Sequence, residues 1–111
     1  MEPATHRVRA CALHEIPPGT ALRLRTGFPS IAIFNVNGTV YAVEDVCTHA
    51  FAVLSEGHFD GMSVECPLHR SQFDVRTGEP LCLPATEPLR TFRVQVVDGD
   101  VIVHVDVGND R

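Results

Sequence analysis

Apolar and polar positions alternate along most of the chain, and the period is that of strands. Val8, Ala10 and Ala12 alternate with Arg7, Arg9 and Cys11, as in a half-buried strand. After the turn signal Pro17-Pro18-Gly19, the run Ala21-Leu22-Arg23-Leu24-Arg25 alternates again. Ile31-Ala32-Ile33-Phe34 and Val40-Tyr41-Ala42-Val43 flank Asn37-Gly38, which predicts a hairpin because both turn residues must take positive φ. A second hairpin is predicted from Phe92 to Val97, through Asp98-Gly99-Asp100, to Val101 and on to Val107. No stretch reads as a helix.

Between the hairpins, residues 46 to about 88 follow a different pattern. Gly57, Gly61, Pro67, Gly78, Pro80, Pro84 and Pro88 interrupt short strand-like pieces such as Ser63-Val64-Glu65 and Gln72-Phe73-Asp74-Val75. A segment broken by so many turn residues needs some further source of order, which a bound metal centre would supply. With no repeat, low-complexity tract or linker, the expectation is one β domain over residues 1–111 with a loop-rich insert.

Composition narrows the function classes. The chain has 111 residues, 44% hydrophobic and 21% charged, enough for one modest core. Its net charge of −5 argues against binding nucleic acid and suits transient docking on a basic protein. No run approaches the roughly 18–20 apolar residues of a membrane span, and Met1-Glu2-Pro3-Ala4-Thr5-His6 does not read as a secretion signal. The expected compartment is therefore the cytoplasm. Thiols stay reduced there, so four cysteines point to metal ligation before disulfides.

Two ligand pairs stand out, Cys47-Thr48-His49 and Cys66-Pro67-Leu68-His69, with 16 residues between His49 and Cys66. Each couples a soft thiolate with an imidazole, and the two loops can converge on one site. Structural zinc accepts Cys2His2, although its usual fingers group cysteine with cysteine and histidine with histidine. One of each per loop also fits two irons, one taking both cysteines and the other both histidines. On spacing alone both readings stand.

The pattern Cys-x-His, sixteen residues, Cys-x-x-His resembles the Rieske motif. The stretch from Cys47 to Val97, with Phe73, Arg76-Thr77-Gly78 and Leu83-Pro84-Ala85, is similar to the Rieske [2Fe–2S] ferredoxins of bacterial aromatic-ring-hydroxylating dioxygenase systems. The resemblance implies an all-β fold, an antiparallel β-sandwich with a small cluster-binding subdomain inserted at about residues 46–85. It implies one [2Fe–2S] cluster per chain on Cys47, His49, Cys66 and His69, with Pro84 in the loop that covers it. It further implies a monomeric electron carrier, not an enzyme, passing single electrons from an NAD(P)H-dependent flavoprotein reductase to a terminal oxygenase. The alternative is a small Rieske-like subunit of a nitrite reductase or another oxidoreductase complex.

Two thiolates and two neutral imidazoles leave an oxidised cluster formally neutral, so this ligand set raises the potential above that of four thiolates. The respiratory Rieske proteins carry a cysteine pair where this chain has Ala52 and Leu68, and a tyrosine where it has Phe73. Ser71 falls where those proteins aim a serine at a bridging sulfide, but Arg70 replaces the glycine before it. Between two ligands, Pro67 and Leu68 are expected at the docking surface, with Asp45, Glu56, Glu65 and Asp74 as solvated charges near it. Cys11 and Cys82 are expected to pack, His58 to sit in a turn, and His6, His14 and His104 to be solvated.

Overall fold

The computed structural model describes residues 4–24, 30–46, 53–67, 71–83 and 85–107, with backbone only at 4–6 and 106–107. Among them are nine strands and two short 3₁₀ turns, Leu13–Glu15 and Leu54–Glu56. The strands are β1 (Ala4–Ala12), β2 (Ala21–Leu24), β3 (Ile31–Val36), β4 (Thr39–Glu44), β5 (His58–Asp60), β6 (Ser63–Glu65), β7 (Gln72–Asp74), β8 (Thr91–Val97) and β9 (Asp100–Val107). Six form a curled antiparallel sheet in the order β1-β9-β8-β4-β3-β2, and β5-β6-β7 form a second sheet. The large sheet is continuous only through Ala42↔Phe92 and Val43↔Thr91, where β4 meets β8.

Both predicted hairpins form. Asn37 and Gly38 take φ of 53° and 99°, and Asp98 and Gly99 take 52° and 81°, the paired positive values that a two-residue turn between twisted strands requires. In β1 the alternation is broken. A bulge between Arg9 and Cys11 resets the phase, so Cys11 turns inward and is buried although the simple pattern put it on the polar side. His58 begins β5, paired with Glu65, where the sequence suggested a turn. A strand of three residues has no readable period and owes its pairing to its neighbours.

The sheet holds two cores apart. Ile31 and Ile33 of β3 face a base core with Ile16, Phe92, Val101 and Val103. Ala32 and Phe34 face the other way, into a core with Val43, Leu54, Val64, Cys66, Phe73, Val75 and Ala85. Successive side chains leave a strand on opposite faces, so a strand buried on both must be apolar throughout, as Ile31-Ala32-Ile33-Phe34 is. The three-stranded sheet thus rests on the outer face of β3 and β4, with Phe59 edge-on to Phe34 at 4.8 Å between centroids.

Candidate metal centre

Of the four predicted ligands, Cys66 lies among the described residues; Cys47, His49 and His69 lie outside them. So do Leu68, Arg70 and Pro84. Among the described residues, no group of three or more His, Cys, Asp or Glu stands together as a metal site. The local architecture shows instead how the described residues flanking each candidate ligand segment are held.

Cys66 follows β6 directly, and its side chain is fully buried. Its backbone N–H donates to the Ser71 carbonyl at 2.7 Å, closing the segment that carries Cys66 and His69 just before β7 begins. Ser71 is also fully buried, and its Oγ accepts the Ala85 N–H at 3.2 Å. The hydroxyl that the resemblance aims at a bridging sulfide therefore accepts a hydrogen bond from the segment expected to cover the site. Leu81 N–H donates to the Gln72 carbonyl, and Pro80 bridges Phe73, so Pro80 and Leu81 lie beside β7.

The segment bearing Cys47 and His49 leaves β4 at Asp45 and returns at the Leu54–Glu56 turn. Asp45 is fully buried. Its Oδ1 accepts the Ser55 N–H and its Oδ2 the Ser55 hydroxyl, both at 2.6 Å, while Arg23 Nε stands 3.5 Å from Oδ2. Burial pushes the Asp45 carboxyl up from the usual range, against the opposing pull of the Ser55 bonds and Arg23. Asp45 is thus no docking charge. Asp74 is buried as well, tied to Arg76 through both carboxylate oxygens. The chance of reading this from the sequence lay in two details: Asp45 directly follows an apolar strand, and a serine stands where the chain returns.

Other expectations divide. Cys11 packs at 4% exposure, but Cys82 is exposed, because the segment holding it lies at the surface beyond β7. Leu83, 76% exposed, and Leu81, 45%, flank Cys82 and form an apolar surface that no sequence motif marks. His14 and His58 are exposed, and His104 hydrogen-bonds Gln95 at 2.8 Å. Glu56, Asp60, Glu79 and Glu87 are exposed around the insert.

The donor set suits the cluster implied by the resemblance. Cys66 is a buried sulfur whose backbone N–H is bonded to Ser71, and the segment of the other candidate thiol and imidazole, Cys47 and His49, lies between Asp45 and Ser55, which hydrogen-bond each other. Comparison with known proteins agrees. The 3-phenylpropionate/cinnamic acid dioxygenase ferredoxin subunit of Escherichia coli K12 is 48% identical over 99 residues, 88% of this chain and 92% of that protein. A chain in the complex of reduced oxygenase and oxidized ferredoxin of carbazole 1,9a-dioxygenase superposes with a TM-score of 0.84 at 44% identity, covering 87% of this chain and 91% of its own. The ferredoxin of carbazole 1,9a-dioxygenase from Nocardioides aromaticivorans IC177 gives 0.84 at 34% identity, covering 87% and 95%. The family model of the Rieske [2Fe–2S] domain matches residues 6–93, and the chain belongs to the Rieske [2Fe–2S] family.

Proposed function

We propose that this chain is a cytoplasmic, monomeric ferredoxin of an aromatic-ring dioxygenase system. It passes single electrons from an NAD(P)H-dependent flavoprotein reductase to a terminal oxygenase. Family membership brings one [2Fe–2S] cluster per chain. In this reading Cys47, His49, Cys66 and His69 hold the cluster, and residues 46–85 are the cluster-binding part of a single domain. The resemblance to a dioxygenase ferredoxin subunit along 88% of the chain carries the reading and favours it over a nitrite reductase subunit.

Held by two thiolates and two neutral imidazoles, Cys47, Cys66, His49 and His69, a cluster would supply a site for one electron, with a formal charge of zero when oxidised. The chain's own contribution is to hold the ligands and present them. The Cys66 N–H to Ser71 contact fixes one ligand segment, and the Ser71 Oγ to Ala85 contact ties the covering segment to it. Leu81 and Leu83 form an exposed apolar surface on that covering segment. Electron-transfer contacts are small, typically under about 1,200 Å² in total, so one apolar side chain contributes strongly. Exposed Glu56, Asp60, Glu79 and Glu87 suit the approach of a basic partner.

Stopped-flow reoxidation by the terminal oxygenase tests this docking surface. Leu83→Asp should assemble its cluster with a parental spectrum yet deliver electrons more slowly. Transfer at the parental rate would remove Leu83 from the contact. A purified protein that is colourless, with zinc in place of iron and sulfide, would sink the electron-carrier reading itself.

A further inference from the structure

Asp45 is a buried carboxylate, and both its oxygens are used by one residue ten positions away. Oδ1 accepts the Ser55 N–H and Oδ2 the Ser55 hydroxyl, each at 2.6 Å. The clamp is tied to the base at two further points: the Asp45 N–H donates to the Ser30 carbonyl at 2.9 Å, and Arg23 Nε lies 3.5 Å from Oδ2. On the other side, Leu54 anchors the Ser55 turn in the core that also contains Cys66. The clamp therefore holds together Asp45 and Ser55, the described residues on either side of the stretch that carries Cys47 and His49.

General stability is a poor reason for this carboxylate. Burying a charge is costly even when it is paired, and apolar replacements of buried pairs are often neutral or better. The clamp does fit the need of a ligand-bearing segment. An isolated loop samples many conformations, whereas two irons need thiolate and imidazole in one arrangement. Partners beyond the ligands typically supply that orientation. We infer that Asp45, through Ser55, is a positioning residue that orients the segment of Cys47 and His49 for cluster binding. The inference rests on the proposed assignment of Cys47 and His49 as ligands.

The test uses the full-length, cluster-loaded protein with the variants Asp45→Ala, Asp45→Asn, Ser55→Ala and Cys47→Ala. The measurements are bleaching by an iron chelator, the EPR spectrum of the dithionite-reduced protein, and the urea midpoint of unfolding. Asp45→Ala should bleach roughly 10-fold faster, the low end of what lost support around metal ligands costs, with a broadened or shifted EPR line. Asp45→Asn, which still accepts one hydrogen bond, should fall between, as should Ser55→Ala, which keeps the backbone N–H. If Asp45→Ala does not fold, those two milder variants decide the matter in the same way.

A lowered urea midpoint with parental EPR and parental bleaching would make the clamp merely structural and overturn the inference. So would parental values throughout, provided Cys47→Ala is colourless. If Cys47→Ala keeps a parental cluster, the ligand assignment falls and the inference falls with it.

Discussion

Gly57 lies between the Leu54–Glu56 turn and β5, and a single methyl group there should disturb the candidate site. Its N–H caps the turn by donating to the Leu54 carbonyl at 2.9 Å, and its φ of −84° is open to any residue. The cost of Gly57→Ala is therefore not conformational. A Cβ would overlap the Glu65 carbonyl oxygen and stand 3.1 Å from the Glu65 carbonyl carbon and 3.2 Å from the Leu54 oxygen. These are backbone atoms, so no side chain can swing aside. The Glu65 carbonyl would have to move by about a bond length, and the next residue is Cys66.

Overpacking of this kind costs about 1–3 kcal/mol, while replacing glycine restricts the unfolded chain and returns about 0.4–1 kcal/mol. The steric effect wins. At roughly 4 °C per kcal/mol for a domain of this size, a net cost of up to about 2.6 kcal/mol lowers the melting temperature by up to about 10 °C. The visible and EPR spectra should shift too, because the displacement falls beside a proposed ligand. Gly61→Ala is the control: nothing lies within 4 Å of its Cβ, but its φ of 66° carries a conformational cost of about 1 kcal/mol. Circular dichroism melts and EPR of both variants make the comparison. A Gly57→Ala protein with parental melting and EPR would refute the close approach of Gly57 to Glu65.

Asp74 and Cys11 supply two further tests. The Arg76 guanidinium holds the Asp74 carboxyl below its usual range, so the pair's stabilisation is present above about pH 4 and is lost as pH falls through the lowered folded-state value. Asp74→Asn should flatten the acid limb of the urea midpoint measured between about pH 6 and pH 2; an acid limb identical to the parent's would refute the role. Burial pushes the Cys11 thiol up, so iodoacetamide should modify it only after unfolding, as peptide mapping would reveal. Rapid labelling of Cys11 in the native protein would contradict its burial in the base core.

Much of the fold was legible because its rules are local. Positive φ is demanded at Asn37-Gly38 and Asp98-Gly99 by any two-residue hairpin, whatever the rest of the chain does. The apolar run Ile31 to Phe34 was legible as one arm of the first hairpin, but that it divides two cores emerged only from the packing on both of its faces. The paired Cys and His residues, read from spacing and resemblance, led to the Rieske family, to which the chain belongs. What stayed hidden depends on atoms distant in sequence. The bulge after Arg9 that turns Cys11 inward is set by pairing with β9, and the strand at His58 exists because β6 lies beside it. Asp45 and Asp74 read as surface charges because composition counts a carboxylate without its partners. Only the folded chain brings Ser55 onto both oxygens of Asp45, and only there does the exposure of Leu83 emerge, because burial depends on which faces the tertiary packing covers.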